Sequence, residues 1–161
     1  MSTTAILMRH GEADIISDDL NEKSRQQVMS VANQLIAIEI QPDILLHSPL
    51  SRAVATTRIL EDQYRAAGKS ITRTQMEPRL HEGKALIEPV LAGLSKERTA
   101  LVISHSYDVL IATMGLCDDG FDTRINYAEA IIIKSESNDW RDLTSSNPKA
   151  RFKIISHLKP A

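Results

Sequence analysis

The chain reads as an α/β protein: a three-layer α/β/α sandwich around a mostly parallel sheet, with an antiparallel hairpin at its C-terminal edge. Three observations predict this. Short apolar runs alternate with stretches of helical spacing, in the order β-α-β-α-β-α-β-α-β-β. Several apolar runs stop abruptly on cationic or polar residues, as parallel strands do where their carboxyl ends open onto a ligand site. The last two runs follow one another with no helix between them, which is how a mixed sheet acquires an antiparallel edge.

Each element has its own warrant. Residues 4–9 are a buried strand, followed by an acidic loop over 11–20. Asn21 is a good N-cap, and Val28, Val31, Ala32, Leu35 and Ile36 then recur at helical spacing, so a helix runs over 22–38. Pro42 and Asp43 end it, and Asp43 to Ser48 is a second short strand. Pro49 opens a helix over 50–66 whose inward face is Ala53, Thr56, Thr57, Leu60 and Tyr64, with Gly68 as its stop. Residues 70–76 alternate as a more exposed strand, and 77–83 are a loop. Lys84 to Leu94 has helical character, with Pro89 starting or kinking it. Thr99 to Ser104 is a strongly apolar strand that runs into His105 and a helix over 107–117. Tyr127 to Lys134 and Arg151 to Leu158 form the hairpin, joined by a long polar connection over 135–150 in which Trp140 is a docking anchor.

Composition narrows the function classes. With 161 residues, 42% hydrophobic and 25% charged, the chain fits a single domain spanning 1–161. A formal net charge of −2 gives no reason to expect nucleic acid. No apolar run approaches the roughly 20 residues that span a bilayer, and the short run before Arg9 reads as a strand rather than a signal peptide, so no membrane partner is expected and the cytoplasm is the default compartment. The one cysteine, Cys117, lies in an apolar segment and is expected to be a buried, inert thiol.

Chemistry gathers at three strand ends. The first strand delivers Arg9 and His10, the second delivers Ser48 and, across Pro49, Arg52, and the fourth delivers His105. In a parallel sheet these ends share one edge, so distant residues converge. Two guanidiniums can fork onto phosphoryl oxygens, and a helix start beside Arg52 adds positive dipole. Of two imidazoles in such a site, one can attack phosphorus while the other hydrogen-bonds the transferring group. The attacking one must be neutral, a state that nearby arginines favour, and its second nitrogen should donate to a backbone carbonyl. Gly11 allows a turn or a close approach to a ligand. A metal site is not expected: no HxxxH or HExxH spacing exists, and paired arginines repel a divalent cation.

Four blocks then resemble, in order, the motifs of the histidine phosphatase superfamily, whose fold is phosphoglycerate mutase-like. Leu7 to Ala13 resembles its Arg-His-Gly signature, Leu20 to Gln27 its Leu-Thr-x-x-Gly-x-x-Gln helix opening, Ser48 to Thr57 its Ser-Pro-x-x-Arg-Ala-x-Gln-Thr, and Val102 to His105 its second-histidine strand. Departures are Ser24 for glycine, Ala55 for glutamine, and Ser106 after the second histidine. Within the superfamily the chain is most similar to the small SixA-type phosphohistidine phosphatases, since the stretch from Met76 to Val102 leaves little room for a lid.

The resemblance implies a cofactor-free, metal-independent phosphatase. It makes His10 the transient phosphohistidine, Arg9, Arg52 and His105 the phosphate pocket with Gly11 beside it, and the substrate a phosphohistidine on a signal-transduction protein such as a histidine-containing phosphotransfer domain. Leu80-His81-Glu82 is similar to the Leu-x-Glu that carries the general acid in many members but is commonly missing from the SixA type, so Glu82 is a candidate acid and small phosphomonoesters are an alternative substrate class. A non-catalytic phospho-binding module is the other alternative. His47, His81 and His157 are expected to be structural or surface residues.

Overall fold

A computed structural model of the chain describes residues 2–144 and 150–161. Six strands form one sheet in the order β3-β2-β4-β1-β5-β6. These are β1 Thr3–Arg9, β2 Ile44–His47, β3 Thr74–Met76, β4 Thr99–Ser104, β5 Ala130–Ser135 and β6 Phe152–Leu158. β1, β2, β3 and β4 run parallel, while β5 is antiparallel to β1 and β6 to β5. The sandwich and its C-terminal antiparallel edge are as expected.

The layers follow from side-chain alternation. In β1, Ala5 and Leu7 face one side, and Ile6 and Met8 face the other. Ala5 and Leu7 join a core with α3 (Ile87–Ala92) and α4 (Ser106–Leu116), which also takes in Trp140 and Phe152. Ile6 and Met8 join a second core with α1 (Glu22–Ala37) and α2 (Ser51–Ala66). Asn21 caps α1, its side chain accepting from the Ser24 N–H at 2.8 Å. Gly68, at φ 74°, ends α2, and the Lys69 N–H reaches back to the Tyr64 carbonyl at 2.9 Å.

Three elements are shorter than their patterns predict, each for a local reason. β3 pairs only over Thr74–Met76, where β2 offers three partners, so 70–73 is not strand. α3 begins at Ile87 rather than Lys84 because Asp108 ties down the preceding turn, accepting from the N–H groups of Gly83 at 3.0 Å and Ala85 at 2.7 Å. Pro89 sits in the first turn of α3, where its missing N–H leaves no bond unmade. β5 begins at Ala130 because 127–129 turn back onto the first strand, as described below. In the connection before β6, a 3₁₀ turn over Trp140–Thr144 carries Trp140 into the core; the expected connection also covers 145–149, which lie outside the described residues. Trp140 is fully buried, lies near-parallel to Phe152, and donates its indole N–H to the Glu97 carbonyl at 2.6 Å. Cys117 is buried and burial pushes its thiol up to about 12, so it is an inert core side chain.

Candidate active site

Parallel pairing sets the site. Arg9 and Ser104 are register partners on β1 and β4, and His47 pairs with Ile103, so β1, β2 and β4 end together. The next residues on each strand are His10, Ser48 and His105. All three are buried. The rings of His10 and His105 meet edge to face with centroids 5.1 Å apart. His105 Nε2 lies 2.9 Å from Ser48 Oγ, which joins the second and fourth strand ends directly.

His10 is held in one tautomer. Its Nδ1 is 2.7 Å from the Gly11 carbonyl oxygen, which can only accept, so Nδ1 carries the proton and Nε2 keeps its lone pair. Its pKa is pushed down to about 3, chiefly by burial, with His105, Arg52 and Arg9 adding to the effect and the Gly11 hydrogen bond opposing it. The neutrality inferred from neighbouring arginines is therefore mostly a desolvation effect. Burial likewise lowers the pKa of His105, against the pull of Glu82 and Asp108.

The structure gives Gly11 a different task from the phosphate contact expected of it. Its N–H donates to Thr56 Oγ1 at 2.9 Å, and the Thr56 hydroxyl donates to the Arg52 carbonyl at 2.8 Å. A Cβ at Gly11 would lie 3.0 Å from Val28 Cγ2 and 3.1 Å from Leu20 Cδ1. Glycine is required here by the packing of α1, while Thr56 clips the turn after His10 to the first turns of α2. That clip sets Arg52 beside His10.

The two arginines are held differently. Arg9 donates to the Ile125 carbonyl at 3.0 Å and lies against the ring of Tyr127, with Cζ 3.7 Å from the centroid. Tyr127 also approaches His10, with ring centroids 6.0 Å apart. The turn that brings it there uses Ala128 at φ 63°, a conformation disfavoured for alanine, and is tied down by two bonds: the Ala128 N–H to the His10 carbonyl at 3.2 Å and the Arg9 N–H to the Glu129 carbonyl at 3.0 Å. Arg52 instead meets carboxylates, Glu82 at 3.1 Å and Asp18 at 3.7 Å. Arg9, His10, Arg52, His105 and Glu82 thus form one cluster. Tyr127 and Asp108 belong to its support and escape a reading of the sequence. The proximity of an acidic residue to His105 in α4 is a signal for Asp108, but Tyr127 was absorbed into the apolar run after it. His47 bonds the Ser48 carbonyl and His157 the Glu129 carboxylate, so both are structural, and His81 is exposed.

Among the described residues, five buried side-chain polar atoms have no hydrogen-bond partner: Arg9 Nε, Arg52 Nε, His105 Nδ1, Ser24 Oγ and Ser104 Oγ. Three of them are nitrogens of this cluster. Unpartnered buried donors are costly unless a ligand supplies acceptors. A tetrahedral oxyanion supplies several at once.

Residues 5–85, half of the chain, match the model of the histidine phosphatase superfamily, branch 1. The chain belongs to the histidine phosphatase superfamily. The matched span contains Arg9, His10, Arg52 and Glu82, and the structure adds His105 from beyond it. No curated protein matches the chain in sequence. Among solved structures, this superfamily member is similar to the protein of Nakamurella multipartitia described as phosphohistidine phosphatase SixA (TM-score 0.83, 16% identity, covering 100% of this chain and 98% of the other). It is also similar to the protein histidine phosphatase SixA complexed with tungstate (TM-score 0.80, 19% identity, 98% and 97% covered). A mycobacterial glucosyl-3-phosphoglycerate phosphatase follows at TM-score 0.65 and 14% identity, with 96% and 98% covered. These likenesses establish the phosphoglycerate mutase-like fold. Among the described residues, no helix is long and apolar enough to cross a membrane.

Proposed function

We propose that the chain is a metal-independent phosphohistidine phosphatase that works through a covalent phosphohistidine at His10. The observation that carries this reading is a neutral His10, with Nδ1–H on the Gly11 carbonyl and a free Nε2, among the unpartnered nitrogens of Arg9, Arg52 and His105. In the first step the Nε2 lone pair attacks phosphorus and the substrate's P–N bond breaks, releasing its imidazole. In the second, water attacks the phosphorus, the P–Nε2 bond breaks, inorganic phosphate leaves and His10 is restored. Little of this chemistry demands proton transfer to the leaving imidazole. The work is positioning, and charge stabilisation of equatorial oxygens by Arg9 and Arg52, with His105 beside them.

Two features favour a phosphoryl group displayed on a protein. The segment between β3 and β4 carries only a 3₁₀ turn and the six residues of α3, so that connection adds no further helix or strand beside the pocket. Two solved structures of this fold are described as a phosphohistidine phosphatase and a protein histidine phosphatase. The test is labelling with ³²P-phosphoramidate followed by an alkaline denaturing quench, which preserves phosphohistidine. Wild type should retain label and His10→Ala should not; equal labelling would remove His10 as nucleophile.

A second reading rests on one contact. Glu82 lies against Arg52 at the pocket, where a leaving-group acid for phosphomonoesters would sit. Under the first reading Glu82→Gln leaves phosphohistidine turnover within about threefold. A loss of about 10²-fold on an ester, the size of a general-acid contribution, would support the second.

A further inference from the structure

The loop between β1 and α1 carries the two most exposed large apolar residues among those described. Ile15 is 100% exposed and Ile16 96%, while Ile38, Met76, Tyr107, Met114 and Ile155 lie between 49% and 59%. Side chains this exposed contribute nothing to the fold by burial. The loop that bears them is nonetheless built. Ala13 and Leu20 form an antiparallel bridge, and the Asp14 N–H meets the Asp19 carbonyl at 2.7 Å. The Asp14 side chain accepts from the Ile16 N–H at 2.8 Å, and Asp19 pairs with Arg25 on α1 at 3.0 Å. The loop leaves β1 directly after His10, and Asp18, two residues after Ile16, touches Arg52, so the loop that carries the isoleucines also reaches the pocket rim. Between this loop and α2 runs a groove of about 310 Å³ that includes Ser17, Asp18, Pro49, Val54, Ala55 and Arg58.

We propose that the Ile15–Ile16 tip and this groove are where the phosphorylated protein docks. The inference rests on the phosphohistidine reading above and extends it to the partner's surface. The charge pattern says what that surface is. Between 11 and 21 the loop carries Glu12, Asp14, Asp18 and Asp19 with no lysine or arginine, and among the described residues Glu12 and Asp14 have no cationic partner. A complementary partner presents apolar side chains ringed by lysine or arginine next to its phosphohistidine. A small phosphate ester seated on His10 would not reach the tip and would draw nothing from it.

The test compares Ile15→Ser/Ile16→Ser with wild type on two probes: a histidine-containing phosphotransfer domain phosphorylated with phosphoramidate, and phosphoramidate itself. Ile38→Ser, at the far end of α1, is the control for losing an exposed isoleucine. The double variant should lose about tenfold or more in kcat/KM on the domain, as expected from two large apolar side chains no longer buried on docking, and stay within about twofold on phosphoramidate. Equal loss on both probes, or on neither, overturns the docking surface. So does a wild-type dimer that the double variant dissolves in sedimentation velocity, because the tip would then serve a second copy of the chain. If wild type turns over neither probe, the catalytic reading is what fails. Docking is then decided by affinity: binding of the phosphorylated domain that the double variant weakens about tenfold supports it, and unchanged binding overturns it.

Discussion

The neutrality of His10 can be tested by lowering the pH. An unperturbed histidine titrates near 6.5, whereas burial pushes His10 down to about 3. At pH 5 an ordinary imidazole is about 3% neutral and one at about 3 is about 99% neutral, a ratio of roughly thirtyfold in competent nucleophile. The assay is kcat/KM for phosphoramidate from pH 8 to pH 4.5, corrected for uncatalysed hydrolysis, because this quantity reports groups of the free enzyme. Imidazole ¹⁵N shifts of the ligand-free protein follow His10 itself and separate its titration from the substrate's. No protonation of His10 is expected down to about pH 4. A His10 midpoint near 6.5 would refute the account of a desolvated nucleophile. The stability sign follows from the same shift. The folded value lies below the unfolded one, so the unfolded chain takes up the proton first as pH falls. The His10 term is therefore absent above about pH 6.5 and increasingly destabilises the fold from there towards pH 3. His10→Asn should flatten that part of the acid limb in a denaturant titration.

Three further outcomes follow from the geometry. Tyr127→Ala removes the face that holds the Arg9 guanidinium, a contact of about 0.5–2 kcal/mol, so kcat/KM should fall about twofold to thirtyfold, with Tyr127→Phe restoring most of it; no recovery with Phe would shift the role to the hydroxyl. Gly11→Ala places a methyl about 3 Å from Val28 and Leu20 and should cost about 1–3 kcal/mol in urea unfolding while displacing the His10 turn; unchanged stability would show that α1 can give way. Trp140→Ala, far from the pocket, should cost about 3–5 kcal/mol and lower Tm by roughly 10 °C, with phosphoramidate turnover at 20 °C retained.

Most of the site is legible in the sequence because its residues sit at the ends of periodic elements. Arg9-His10, His47-Ser48 and Ser104-His105 each end a short apolar run, and a parallel sheet leaves those ends nowhere to go but one edge. What escapes is whatever depends on loops folding back. Tyr127 reads as the first residue of a strand, since Tyr127, Ala128, Ala130 and Ile131 are compatible with one. It becomes a wall of the pocket because two backbone bonds to the His10 and Arg9 strand end outweigh the left-handed strain at Ala128. The start of α3 is lost for the same reason: Asp108, 25 and 23 positions downstream of the Gly83 and Ala85 N–H groups it holds, decides it. Glycine in a motif suggests backbone freedom, whereas the packing around Gly11 is set by Val28 of α1 and by Leu20 of the loop before it, neither of which the motif announces.

Arg52 shows how the docking loop and the pocket share one side chain. Its two carboxylate partners, Glu82 and Asp18, are each more than half exposed, so each pair is worth at most about 1 kcal/mol. Charge-assisted hydrogen bonds to a phosphoryl group are stronger, about 1.5–3 kcal/mol each. The guanidinium is therefore aimed by its rim without being withheld from a ligand. Arg9, held by a carbonyl and an aromatic face, has no carboxylate partner among the described residues. Asp18 is the other half of the arrangement. A partner resting on Ile15 and Ile16 presses on the loop that carries Asp18, and a phosphoryl group entering the pocket draws on the arginine that Asp18 touches. Docking and phosphate capture are thus two loads on the same ion pair, and Asp18→Asn should weaken the dependence of one on the other while leaving the His10 tautomer untouched.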